Sequence, residues 1–304
     1  MAILYLSTPE RGAVFRAVLG AAFPDLPFHA GTAPVPEDVR IVIAWTCPPD
    51  LFARHPHVRL LISVGAGVDQ LDLSAVPPGV QVVRMLEPGL PAQMAEYVTL
   101  ATLALHRDLP AYLEQGRQGL WRAGRNVPAE ARRVGVMGVG QLGRAVLAAL
   151  APFGFALAGY GRSGAMPAGV EGFTDLSAFL ARSDILICLL PLTDETTGIL
   201  NAATFAGLPR GAMLVHAGRG RQLVAADLIA ALDSGQMAAA MLDVTDPEPL
   251  PAGHPLWQHP RVIVTPHIAC QTRAEEGAQH LLRVIGTWRS GQPIPGAVDP
   301  ARGY

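Results

Sequence analysis

The 304-residue chain is poor in cysteine and in charge, and each shortage excludes something. Its three cysteines, Cys47, Cys188 and Cys270, are too few and too scattered for a disulfide framework, and none lies in the C-x-x-C spacing of a structural metal site. They read as thiols in a reducing compartment, and no metal is expected. Charged residues make up 16% of the chain, with 23 Lys plus Arg against 25 Asp plus Glu and no long block of either sign. Neither nucleic acid nor an anionic membrane is therefore an expected partner, which leaves a small molecule. The segment Met1–Ser7 has no basic region and meets Pro9, Glu10 and Arg11 too soon for a signal peptide, so the expected location is the cytoplasm. The longest uncharged apolar stretch, Ala145 to Gly161, is broken by Pro152 and Gly154 and falls short of the roughly 20 residues a membrane span needs. It reads as a helix followed by a strand.

What the chain does contain is an alternation of short Val/Ile/Leu-rich runs with longer helical patterns. This is the signature of parallel sheets covered by helices on both faces. Strands are expected near Ala2–Ser7, Arg40–Trp45, Leu60–Val64 and Val80–Val83, with Pro48-Pro49 and Pro77-Pro78-Gly79 among the connections. A second set is expected near Arg133–Gly138, Phe155–Tyr160, Asp184–Leu189, Ala212–His216, Ala238–Leu242 and Val262–Thr265, with helices such as Gln141–Ala151 and Ala225–Ser234 between them. Two further helical patterns, Ala92–Arg107 and Gln271–Arg289, flank the second set as crossings. The expected fold is α/β with two doubly wound parallel-sheet domains. A Rossmann dinucleotide-binding domain, residues 97–269, is inserted into a flavodoxin-like substrate domain of residues 1–96 and 270–304. The active site is expected in the cleft between them, with closure of the domains around cofactor and substrate.

The segment Val134–Gly143 contains Gly138-x-Gly140-x-x-Gly143 directly after an apolar strand and at the start of an Ala/Leu-rich helix. In that context Gly138 permits the tight turn, Gly140 lets a pyrophosphate approach the backbone, and Gly143 lets helix and strand pack closely. The helix N-terminus offers its N–H groups to the anion. In a chain with 32 glycines the alternative is a chance glycine turn. Missing is the acidic residue that usually lies about 20 positions on and holds the ribose 2′-hydroxyl. There is no Asp or Glu from Gly138 to Val170, and the second strand ends in Tyr160-Gly-Arg162-Ser163. A guanidinium and a hydroxyl there suit a 2′-phosphate, so NADPH is the expected cofactor and NADH a weaker substitute. A solvated surface arginine is the alternative for Arg162.

Three later segments put a polar residue just beyond a predicted strand: His216-Ala-Gly218-Arg219-Gly220, Asp243–Pro251 with Glu248, and Thr265-Pro-His267-Ile-Ala269. Such strand ends form the binding edge of an open sheet. Arginine can grip a carboxylate and polarise the neighbouring carbonyl, histidine can donate the proton that completes an alcohol, and a carboxylate orients the imidazole. Taken singly, His267 could bond a backbone carbonyl, Arg219 could be a turn residue and Glu248 a solvated acid. Together, each after its own strand, they form a candidate catalytic set. In the first domain, Ser63-Val-Gly65-Ala66-Gly67-Val68-Asp69 follows a strand and can form an anion-binding nest, or an ordinary strand-to-helix turn. Trp45, Met85 and Leu86 lie at or beyond strand ends and are candidates to line a pocket, with core packing as the alternative.

Together these segments resemble the D-isomer-specific 2-hydroxyacid dehydrogenases, and within that family the A-type glyoxylate/hydroxypyruvate reductases. The resemblance is carried by Gly65–Asp69, Gly138–Gly143, Gly218–Gly220, Ala230–Gly235, Met241–Val244, Glu248–Pro251, Pro255–Pro260, Thr265–Ala269 and the terminal Val298–Tyr304. It implies reduction of small 2-keto acids with NADPH by a homodimer. Arg219, Glu248 and His267 would be catalytic, in roles that agree with the residue reading. The candidate cofactor set is Gly138, Gly140, Gln141, Leu142, Gly143, Arg162, Ser163, Leu190, Pro191, Ala217, Gly218, Asp243 and His267. The candidate substrate set is Gly65, Ala66, Gly67, Val68, Arg219 and Trp45. The chain departs from the family pattern at His216-Ala-Gly218, where Asn followed two residues later by Ala or Ser is more usual. Two other readings are a dehydrogenase for a larger D-2-hydroxy acid and, in a different class, a dinucleotide-sensing corepressor.

Overall fold

The computed structural model describes residues 1–35, 38–124 and 126–298. The terminal motif from Asp299 to Tyr304 therefore lies outside the described residues. The chain divides into two compact units, Met1–Leu90 with Thr272–Tyr304, and Pro91–Gln271. These divisions fall a few residues from the boundaries expected at 96/97 and 269/270.

The first unit holds five strands: β1 (Ala2–Leu6), β2 (Phe28–Ala30), β3 (Val39–Ala44), β4 (Leu60–Ser63) and β5 (Gln81–Val83). Their order is β2-β1-β3-β4-β5 and every pairing is parallel. This is the flavodoxin-like order. Strands buried on both faces need apolar side chains at consecutive positions, and Ile41, Val42, Ile43 and Ala44 of β3 are all fully buried. The helix Pro9–Ala22 and the returning helix Ala274–Arg289 contribute Phe15, Leu19, Leu281 and Ile285 to the same core as Ile3, Ile41 and Ile62. Beyond it, Ala297 bridges Val83 antiparallel, which covers the outer edge of β5. Two carboxylates serve the helix starts reciprocally. Glu87 accepts from the Arg273 amide at 3.0 Å, and Glu276 accepts from the Gly89 amide at 3.0 Å. Burial pushes the Glu87 carboxyl up to about 7.

The second unit holds β6 (Arg133–Met137), β7 (Ala156–Tyr160), β8 (Glu171–Phe173), β9 (Ile185–Cys188), β10 (Ala212–His216), β11 (Met237–Leu242) and β12 (Val262–Val264). Their order is β12-β11-β10-β9-β6-β7-β8, again all parallel. This is the Rossmann arrangement with one added strand, and its direction reverses between β6 and β9. The helix Gly89–His106 packs Met94, Tyr97, Val98, Ala101 and Leu105 against one face of the sheet, beside the helix Gln141–Leu150. Leu228 and Leu232 of the helix Ala225–Asp233 pack on the other face with Phe179 and Phe205. Each of these fully buried large side chains stabilises the fold by roughly 1.5–3 kcal/mol relative to an exposed one.

Both strands absent from the sequence expectation, β2 and β8, are three-residue edge strands. Phe28-His-Ala30 and Glu171-Gly-Phe173 pair on one side only and are not apolar runs, so no periodic signal marks them. The stretch Ala145–Gly161 forms the end of a helix, a short 3-10 turn at Ala151–Phe153 and then β7. Among the described residues no helix is long and apolar enough to cross a membrane.

Candidate active site

Strand register sets the site. Across the second sheet Tyr160, Met137, Cys188, His216, Leu242 and Val264 stand side by side in one row of Cα partners. The chain leaves each strand within a residue of that row. Arg162, Gly138, Leu190, Arg219, Asp243 and His267 therefore follow one to three residues beyond a common line. Neighbouring strand ends thus gather residues spread over more than a hundred positions of sequence.

Gly138 takes φ of +95°, and a β-carbon on it would come within 2.7 Å of the Leu189 carbonyl, so the loops after β6 and β9 touch at the switch point. A β-carbon at Gly143 would collide with the Gly138 carbonyl. Around Gly140 there is nothing within 4 Å of that position, which leaves its backbone open to a ligand. It is the N-cap of the ten-residue helix Gln141–Leu150 and has no side-chain cap, so that N-terminus keeps backbone donors for an anion. These features fit a dinucleotide pyrophosphate. Gln141 is exposed at the helix start, whereas the Leu142 side chain packs on the core. After β7, Arg162 and Ser163 are both exposed. Arg144, which the sequence reading missed, donates to the Ala165 carbonyl at 3.3 Å and brings a second guanidinium to this loop. The chain has no lysine, so every side-chain cation other than histidine is a guanidinium able to bind oxyanions in a fork.

On the other side of the switch point, His267 Nδ1 and Glu248 Oε2 lie 2.8 Å apart, with the two side chains about 40% and 38% exposed. The carboxylate accepts, so Nδ1 donates and Nε2 is left for other chemistry. Glu248 Oε1 accepts from the Thr245 amide at 3.0 Å, which fixes the carboxylate's other end. His267 itself has φ of +53°, a left-handed conformation that costs a side-chain-bearing residue about 1–3 kcal/mol. The neighbouring bonds hold it there. The His267 amide donates to the Asp243 carbonyl at 2.9 Å, and the Asp243 carboxylate accepts from Ile268 at 2.9 Å, Ala269 at 2.8 Å and Thr265 Oγ1 at 2.6 Å. Since the Thr265 proton goes to Asp243, the Tyr97 hydroxyl is the donor in its 2.6 Å bond to Thr265. Burial pushes the Tyr97 phenol up to about 12. Asp243, a candidate cofactor contact, is buried, and its visible work is to hold the histidine segment. Tyr97 and Thr265 belong to the same support, and nothing in their spacing could have revealed it.

Arg219 lies between these features. Its guanidinium donates to the Gly218 carbonyl at 2.9 Å. Gly220 sits so close to the next loop that a β-carbon would collide with the Thr245 carbonyl, which places the arginine turn against the loop that carries Glu248. Leu190 is half-buried and Pro191 exposed, while Ala217 and Gly218 are buried.

In the first unit, the loop Gly65–Val68 is the segment for which the sequence left an anion-binding nest and an ordinary turn open. The Gly65 amide donates to Ser63 Oγ at 3.1 Å, and the Trp45 ring covers Gly65, with Cζ3 2.8 Å from the position of a β-carbon. Val68 faces the core, while Ala66 and Gly67 are half-exposed. Ser63 organises the loop by donating to the Gly67 carbonyl at 2.7 Å and accepting from Gln70 at 2.8 Å. Met85 is core, not pocket lining, at 1% exposure, and Trp45 is 45% exposed.

Residues 99–269 match the D-isomer specific 2-hydroxyacid dehydrogenase, NAD binding domain. The chain belongs to the D-isomer specific 2-hydroxyacid dehydrogenase family and is an oxidoreductase. It is 39% identical over 278 residues to glyoxylate/hydroxypyruvate reductase A of Salmonella newport, an alignment covering 88% of each chain. Among solved structures, a D-isomer specific 2-hydroxyacid dehydrogenase of Xanthobacter autotrophicus in complex with NADPH and MES superposes with a TM-score of 0.92 at 38% identity, covering 100% of this chain and 99% of that one. The NADPH-dependent glyoxylate/hydroxypyruvate reductase of Sinorhizobium meliloti, in complex with NADP and sulfate, gives 0.89 at 35% identity over the same shares.

Proposed function

We propose that the chain reduces small 2-keto acids, glyoxylate to glycolate and hydroxypyruvate to D-glycerate, using NADPH. The observation that carries this reading is the His267–Glu248 pair at 2.8 Å, standing in the same row of strand ends as the Gly138–Gly143 loop. The names of the reductases from Salmonella newport and Sinorhizobium meliloti support it. The loop amides from Gly138 to Gly143 hold the pyrophosphate, and Arg162 with Ser163 meets the adenosine 2′-phosphate, so NADH serves less well. When bound, the dinucleotide supplies the hydride. Arg219 grips the substrate carboxylate and polarises the adjacent carbonyl. His267 donates the proton from Nε2 to the carbonyl oxygen as it becomes an alkoxide, Glu248 steadies the ring through Nδ1, and solvent restores the proton to the half-exposed pair. A panel of 2-keto acids assayed with NADPH and with NADH tests this. Efficient turnover of glyoxylate and hydroxypyruvate with NADPH is the expected result, and no turnover of any 2-keto acid would sink it.

The working form is a homodimer in a reducing compartment, the cytoplasm. Leu109, Tyr112 and Leu113 of the helix Leu109–Arg117, with Leu120 and Trp121 just after it, are 38% exposed or more, and Trp121 is completely so. A cluster of this kind on a charge-poor chain suits a self-complementary contact. Leu113→Arg should lower the mass seen by sedimentation to that of a single chain, and a wild type that sediments as one chain would remove the dimer.

A further inference from the structure

Gln222 and His216 carry no role in the reading above, yet both are fully buried beside Arg219. We propose that they are positioning residues that fix the Arg219 turn in the geometry its guanidinium needs, and that Gln222 ties this turn to the backbone of Leu190 and Pro191. The inference rests on the assignment of Arg219 as the carboxylate clamp.

Every hydrogen-bonding position of the Gln222 carboxamide has an assigned neighbour. Oε1 accepts from the Arg219 amide at 2.8 Å and has the Cys188 thiol 3.9 Å away. Nε2 donates to the Leu190 carbonyl at 3.1 Å and the Pro191 carbonyl at 3.0 Å. This pattern also fixes which end of the amide is which. The reversed group would set N–H against N–H and carbonyl against two carbonyls. The other backbone group of Arg219 is held by His216, whose Nε2 is 2.9 Å from the Arg219 carbonyl. A carbonyl only accepts, so Nε2 carries the proton. Burial pushes the ring down to about 4 and keeps it neutral at ordinary pH. Both polar backbone groups of one arginine are therefore gripped by buried side chains from opposite sides. His216 Nδ1 is the one polar atom of these two side chains without a hydrogen-bond partner; the remaining bonds converge on one turn and hold it more firmly than separate bonds would.

The departures from the family pattern now fit one another. A β-carbon on Gly218 would collide with Gln222 Oε1, so the Ala or Ser more usual at that position cannot coexist with this carboxamide where it stands. His216, in place of the more usual Asn, reaches the carbonyl on the far side of the turn. Residues 216, 218 and 222 thus form one matched set around the arginine.

The test separates positioning from mere structural support. His216→Leu and Gln222→Leu are compared with the wild type, with Arg219→Lys and with His216→Gln, which keeps a donor. Each is assayed at saturating NADPH on glyoxylate and on glycolaldehyde, which lacks the carboxylate. Oxalate affinity of the NADPH complex and the urea midpoint are measured as well. The expected result for the two Leu variants is an oxalate affinity and a glyoxylate KM poorer by about tenfold, with glycolaldehyde turnover within about twofold, and His216→Gln should restore what His216→Leu loses. Should a Leu variant fail to fold, Gly218→Ala serves instead. It should weaken oxalate binding about tenfold in the wild type and add nothing in a Gln222→Ala background. Equal losses on glyoxylate and glycolaldehyde, or additive losses for 218 and 222, would overturn the proposal while Arg219→Lys still showed the clamp. If Arg219→Lys kept full oxalate affinity, the clamp assignment itself would fall first.

Discussion

The loop after β6 and the segments after β10, β11 and β12 leave the same row of one sheet, yet they are built in different ways. After β6 the structure offers backbone: three glycines, one at φ of +95°, one with open space around it and one pressed on a carbonyl, followed by an uncapped helix start. After β10 to β12 it offers ionisable side chains, Arg219, Glu248 and His267, each held by bonds to its own turn. Binding a pyrophosphate needs amides at fixed places, which only the chain path can supply. Chemistry on a carbonyl needs a transferable proton and a fork of donors, which only side chains supply. Substitutions on the two sides should therefore fail differently, the first in binding and stability, the second in turnover.

The sharpest way to break this contrast is His267→Asn. Loss of a proton donor should lower turnover by about 10²–10⁴-fold with NADPH binding unchanged by fluorescence titration. A variant that turned over normally, or lost NADPH, would place the histidine on the wrong side. Gly143→Ala tests the other side. Its β-carbon must push against the Gly138 carbonyl, so the unfolding free energy should fall by about 3 kcal/mol and NADPH affinity should fall with it. Unchanged urea midpoints would contradict the close approach. Next, Arg162→Ala should raise the KM for NADPH by one to two powers of ten, from a charged hydrogen bond worth roughly 1.5–3 kcal/mol, and leave NADH nearly unaffected. A parallel loss with both cofactors would show that Arg162 does not read the 2′-phosphate.

Stability against pH sharpens the contrast further. His216 in the folded chain lies at about 4, below its ordinary 6.5, so between those values the unfolded chain binds more protons. The stability tied to the neutral ring is complete above about pH 6.5 and is lost as pH falls towards 4. His216→Gln should flatten this limb by on the order of 1–2 kcal/mol, read from urea unfolding at pH 7 and pH 4.5. An identical slope in the variant would argue that the ring takes up no proton in this range. The smallest effect belongs to Glu248→Gln, which removes the charge and keeps a single carbonyl oxygen, enough for the ring or the Thr245 amide but not for both. Turnover should fall about tenfold or less, and a loss as large as that of His267→Asn would give the carboxylate a larger part than orientation.

By itself the sequence determined the class of fold and ten of the twelve strands described, and it named the chemical groups proposed for the site. Buried parallel strands must be written as apolar runs, a phosphate loop must be written in glycine, and strand ends are marked by the break in hydrophobicity. Those constraints are local, so they are legible along the chain. Only the tertiary structure decided which groups meet. The Tyr97–Thr265–Asp243 support of the histidine spans 168 residues in its first bond and 22 in its second. Gln222 finds Leu190 across 32 residues because β9 and β10 are neighbours in the sheet. The same is true of the short edge strands β2 and β8, and of Gly65, whose amide turned to Ser63 instead of outward. A hydrogen bond between residues distant in sequence depends on strand order and register, which are set by the packing of the whole sheet, so no local pattern of residues records it.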